Sequence, residues 1–155
     1  MGLLHLLRQR LSDSLHHAVL HVEDPLLGPM EQVAEGLWRT TGAYALFENA
    51  PPVYVTLEGD HAGPAPDLRA MLAELQGRYA SLRPAIEPLL RNADPRSAPR
   101  LALWPHATLE SVEIWRHPGD HHVVLALDYA LDDFPEYIFV IRVENWQPMD
   151  VLVTG

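Results

Sequence analysis

From Val112 to Val143 the chain alternates apolar and polar positions through three consecutive runs. Val112, Ile114 and Arg116 interleave with Glu113, Trp115 and His117. Val123, Leu125, Leu127 and Tyr129 interleave with His122, Val124, Ala126 and Asp128. Tyr137, Phe139, Ile141 and Val143 interleave with Ile138, Val140, Arg142 and Glu144. Successive side chains of a strand point to opposite sides, so a period of two builds strands with one buried face. Such alternation is characteristic of antiparallel sheets. A last short strand is expected at Val151 to Val153.

The buried face needs a cover, and the residues after Asp67 supply it. Leu68, Met71, Leu72, Leu75, Tyr79, Leu82, Ile86 and Leu89 form an apolar stripe at helical spacing. Asp67 is the expected N-cap. Pro84 and Pro88 each lack an N–H and clash one turn back, so a break near Ala80 and Ser81 is expected. Upstream, Ala43 to Phe47 and Val53 to Leu57 are rich in strand-forming types, and Met30 to Leu37 fits strand or short helix. Leu4, Leu7, Leu11, Leu15, Ala18 and Val22 place an amphipathic helix over residues 3–22. The sequence therefore predicts one α+β domain. A mostly antiparallel sheet packs against a central broken helix, with an N-terminal amphipathic helix beside it. Its segments are a helix over 1–24, strands over 25–66, a helix over 67–91, a connection over 92–108 and strands over 109–155.

Charge narrows the function classes. The formal net charge is −10, and all 11 basic residues are arginine. Residues 110–155 carry nine acids against Arg116 and Arg142 alone, whereas residues 67–100 carry six arginines against four acids. An acidic surface repels phosphate backbones, which argues against nucleic-acid binding. It would steer a basic protein partner instead, besides keeping the chain in solution. There is no cysteine, which removes thiolate chemistry and disulfides. His5, Arg8 and Arg10 interrupt the leucine-rich start, and no run approaches the ~18 apolar residues of a membrane helix. The expectation is a cytoplasmic protein with no membrane contact.

A family resemblance follows from particular residues. Gly28 and Trp38, the strand pair after them, the aromatic-bearing helix and the closing LALDYALDDFPEYIFVIRVENW resemble small bacterial cytosolic domains. Some of these are encoded beside polymorphic toxins as immunity proteins. The resemblance spans about residues 25–155 and carries no catalytic signature. It implies a non-catalytic, acidic protein-binding domain that neutralises a basic toxin by occlusion. The expected partner-binding residues are Asp128, Asp132, Asp133 and Glu136, which would steer the partner, with Trp146 as an aromatic anchor. Trp104 is a second loop tryptophan of the same kind.

The alternative reading is a metal-binding module or metal-dependent hydrolase. In IWRHPGDHHVV, a type II turn centred on Pro118 and Gly119 would place His117, Asp120 and His122 on one face, with His121 on the other. Two imidazoles and a carboxylate can hold zinc and leave a coordination position open. The plain reading of the same residues is an exposed polar hairpin tip. His17 and His21, four apart on the expected first helix, are a weaker metal clip. No phosphate loop, Gly-x-Ser-x-Gly elbow or His-Glu-x-x-His occurs, so no cofactor and no enzyme class is indicated. A homodimer through the first helix or a bare sheet edge is a third possibility.

Overall fold

The structure is a computed structural model, and it describes residues 19–93, 107–132 and 134–155. Among the described residues nine strands form one sheet: β1 (His21–Asp24), β2 (Gly28–Ala34), β3 (Leu37–Thr40), β4 (Tyr54–Asp60), β5 (Gly63–Pro64), β6 (Ala107–Arg116), β7 (Val123–Leu131), β8 (Ile138–Glu144) and β9 (Gln147–Thr154). One helix, α1 (Pro66–Arg91), joins the two halves. The strand order is β1-β2-β3-β4-β6-β7-β8-β9, with β5 paired to β4 alone. The sheet is thus two antiparallel meanders, β1–β4 and β6–β9, welded at a parallel β4–β6 pair in which Thr56 lies beside Glu113. Parallel neighbours need a long crossover, and α1 is that crossover.

This corrects the expected fold class. The sheet is mixed at its centre, and the described residues contain a single helix, which is unbroken. A break at Ala80 would relieve only Pro84, worth about 3 kcal/mol. It would also take Leu82, Ile86 and Leu90 out of the core, where each contributes about 1.5–3 kcal/mol. Burial is the larger effect. The Ser81 hydroxyl donates to the Arg78 carbonyl in the turn before Pro84. The helix starts one residue before Asp67: Ala65 is the N-cap and Pro66 follows it, its fixed φ suiting a first helical turn. Asp67 is thereby free to pair with Arg116 of β6.

The expected N-terminal helix lies mostly outside the described residues. Its last part, His21 to Asp24, is strand β1 rather than helix. Of the segments expected as strands, Ala43 to Phe47 makes only an isolated bridge, Tyr44 to Val53. Met30 to Leu37 resolves into β2, a turn at Gly36 and the start of β3.

One side of the sheet packs on α1. Trp38, Leu57, Ile114, Leu125, Leu127 and Ile141 meet Leu68, Leu72, Leu75 and Ile86 there. The Trp38 indole N–H donates to the Asp60 carbonyl at 2.7 Å, tying β3 to the end of β4. Asp24 closes the β1–β2 turn by accepting the amides of Leu26 and Leu27 at 2.9 and 3.0 Å. It also takes the Arg69 guanidinium of α1, with Nε at 2.8 Å.

Candidate functional site

The opposite side of the sheet carries the charged positions. The register places Arg39, Thr56, Glu113, Ala126, Arg142 and Asp150 in one row across β3, β4, β6, β7, β8 and β9. Tyr54, Ser111, Asp128 and Val140 make the next row. A bulge at Leu109 to Ser111 adds Glu110 to the rim. These rows border a cleft of about 540 Å³, walled by Pro51, Pro52 and Tyr54 and floored by Glu113 and Asp128.

Its electrostatics set this cleft apart from a solvated surface. Burial pushes the Glu113 carboxyl up to about 7; the Asp128 charge adds to the push and Arg39 opposes it. Burial likewise raises Asp128 to about 6, against hydrogen bonding from Ser111 and attraction to Arg39, with Glu110 adding repulsion. Oδ1 of Asp128 is shut off from solvent and has no hydrogen-bond partner. Arg39 does not occupy that oxygen: its guanidinium lies over the Tyr54 ring, 4.5 Å from the centroid. Two carboxyls whose proton affinity is raised by burial, one with an oxygen that has no hydrogen-bond partner, can serve as an acid–base pair or seat a cation.

The expected partner-binding residues are dispersed. Asp128 is the one that enters the cleft. Asp132 and Glu136 are exposed in the turn after β7, and Asp133 lies outside the described residues. Trp146 is in the turn at the other end of β8, so it does not join them. Asn145 and Trp146 both have positive φ there (49° and 60°), the geometry of a two-residue type I′ hairpin. The Trp146 ring packs under the Arg78 guanidinium, 4.8 Å away, so it pins the turn to α1. Trp104 is outside the described residues. Glu113, Glu110, Arg39 and Tyr54 went unsingled in the sequence because each reads as an ordinary outward position. The parallel β4–β6 pairing, which has no local signal, is what gathers them.

The hairpin histidines do meet. Ligand atoms of His117, Asp120 and His122 all lie within 4.8 Å of one another. The turn differs from the expected type II. His117 and His122 pair through the His117 amide and His122 carbonyl at 2.8 Å, and the His121 amide returns to the His117 carbonyl at 3.0 Å. His121, not Gly119, takes the positive φ, 61°. A Cβ at Gly119 would stand 3.2 Å from His117 Nδ1, a tight approach that would make the His117 ring shift slightly. Hydrogen bonding of the His122 ring to the Asp120 carboxylate raises the His122 pKa, against desolvation, with Glu144 helping. Of the weaker pair, His21 is on β1 and His17 lies outside the described residues.

Among the described residues no helix is long and apolar enough to cross a membrane. Comparison with protein-family models, with curated proteins and with solved structures gives no match.

Proposed function

We propose that the protein is a non-catalytic binding domain of the cytoplasm that captures a basic protein partner, with the Glu113–Asp128 cleft as the seat for one of its arginine or lysine side chains. The observation that carries this is that Asp128 and Glu113 line one cleft and that Oδ1 of Asp128, shielded from solvent, has no hydrogen-bond partner. Leaving such an acceptor unpaired is costly, and an incoming N–H donor removes the cost. A guanidinium or ammonium head would bridge the two carboxylates while its methylene stem lies along Pro51, Pro52 and Tyr54. Exposed Asp132 and Glu136 would add long-range attraction without contributing contacts of their own. The resemblance to immunity proteins makes a basic toxin encoded by an adjacent gene the first partner to try, with occlusion as its mode of neutralisation.

The test is fluorescence anisotropy with a labelled arginine-rich peptide at low salt. The double variant E113Q/D128N should weaken binding tenfold or more, about 1.4 kcal/mol. The control D132N/E136Q removes the same charge at the turn and should cost about threefold or less. Equal losses in the two variants would mean that net charge alone attracts the peptide, and the seat would be wrong. Binding should also strengthen between pH 6 and pH 8, because the seat must be ionised to hold a cation.

A second reading rests on the same raised proton affinities. A carboxyl held near 7 is suited to general acid–base work at neutral pH, so Glu113 is the residue that an enzyme built on this cleft would use.

A further inference from the structure

We propose that His117, Asp120 and His122 bind a divalent transition ion of the zinc class, with Glu144 as the carboxylate that orients the His122 ring. This site shares no residue with the cleft. Three features of the geometry carry it.

The donors are mutually placed before any ion arrives. The backbone pairing of His117 with His122 holds the two rings stacked, 5.0 Å between centroids and 15° from parallel. Asp120 Oδ1 is 3.4 Å from His117 Nδ1 and in direct contact with His122 Nδ1. Two imidazole nitrogens and one carboxylate oxygen suit zinc, copper or nickel better than calcium, which prefers a shell of oxygens.

The far side of His122 is also arranged. Its Nε2 is shielded from solvent and has no hydrogen-bond partner, yet Glu144 Oε1 stands 3.4 Å away. With Nδ1 given to an ion, the proton must sit on Nε2, where it points at Glu144. That carboxylate–histidine–metal relay fixes the tautomer and strengthens the nitrogen as a ligand. Arg142 also reaches Glu144, at 3.4 Å, but its closer partner is Asp150 at 2.6 Å, which leaves Glu144 available.

Binding exchanges contacts rather than adding them to an idle site. The ion would displace the Gly119 amide from His117 Nδ1, now 3.1 Å away, and the His122 ring from Asp120. A protonated His122 ring releases one proton in the process. His117 and Asp120 are exposed, so water would complete the coordination shell.

The measurement is isothermal calorimetry of the full chain with zinc chloride at pH 7.5, repeated on H117A, D120N, H122Q and E144Q. The first three positions are at a hairpin tip outside the core, and circular dichroism would check each variant's fold. The proposal expects one ion per chain and at least tenfold weaker binding in H117A, D120N and H122Q. It expects about tenfold weaker binding in E144Q, the size of an orienting-ligand loss. Absence of binding, or binding that survives in both H117A and H122Q and so uses other histidines, would overturn the site. Wild-type affinity in E144Q would overturn the role given to Glu144.

Discussion

Replacing Glu113 by glutamine should make the protein more stable at pH 8, by about 2 kcal/mol, while weakening the binding proposed for an arginine-rich peptide. The free carboxyl titrates near 4.5 and the folded one at about 7. Each tenfold rise in proton affinity corresponds to about 1.4 kcal/mol of penalty on the ionised form. The sign follows from proton counting. Between pH 4.5 and 7 the folded state holds a proton that the unfolded state has lost, so stability falls as pH rises through that window. Glutamine has no charge to bury and escapes the fall, although its amide must still find partners, which keeps the gain below the full difference. Asp128→Asn acts in the same direction over a lower window, from about 4 to about 6. Because the two carboxyls repel each other, the double variant should gain less than the sum of the singles. Urea unfolding at pH 5 and pH 8 checks this: wild type should be the less stable of the two proteins at pH 8 and their curves should converge at pH 5.

The opposite behaviour is expected at Asp24. Arg69→Ala should cost about 3 kcal/mol at neutral pH, since it leaves a carboxylate that is only 5% exposed with two backbone amides and no cation. Burial alone would raise the Asp24 pKa; the amides of Leu27 and Leu26 and the Arg69 guanidinium outweigh it and leave it lowered. A lowered carboxyl contributes stability that is fully present above its unfolded titration near 4 and is lost as pH falls through the folded value. Arg69→Ala therefore removes part of the acid-side loss as well as stability at neutrality. Arg69→Lys keeps the charge but not the paired Nε and terminal contacts, and should recover less than half. Together with Glu113, this pair confines the wild-type optimum to mildly acidic pH, which a Tm series from pH 3 to pH 9 would display.

Local pattern was enough to locate much of the secondary structure. The alternation at Val112 to Val143 marks β6, β7 and β8, and the stripe from Leu68 to Leu89 marks α1. Two kinds of information were not local. Whether Pro84 breaks α1 depends on how much Leu82, Ile86 and Leu90 bury beyond it, which the helix segment alone does not say. Whether β4 and β6 are neighbours depends on the crossover, and on that pairing hangs the row of Arg39, Thr56 and Glu113. The hairpin trio could be found from spacing, because its ligands are five residues apart at most, and it came together even though the turn type was different. The acidic cluster was half legible. Asp128 belongs to the cleft, but density of charge along the chain pointed to Asp132 and Glu136, which solvent reaches freely. Burial, not proximity in sequence, decides which carboxylates hold unusual protons.

The most direct test is a carboxyl-carbon NMR titration of Glu113 and Asp128, alone and with an arginine-rich peptide bound. Midpoints of about 7 and about 6 in the free protein, both moving down when the peptide occupies the cleft, are the predicted result. Midpoints near 4 for both residues, unmoved by peptide, would show two ordinary solvated acids and contradict the account.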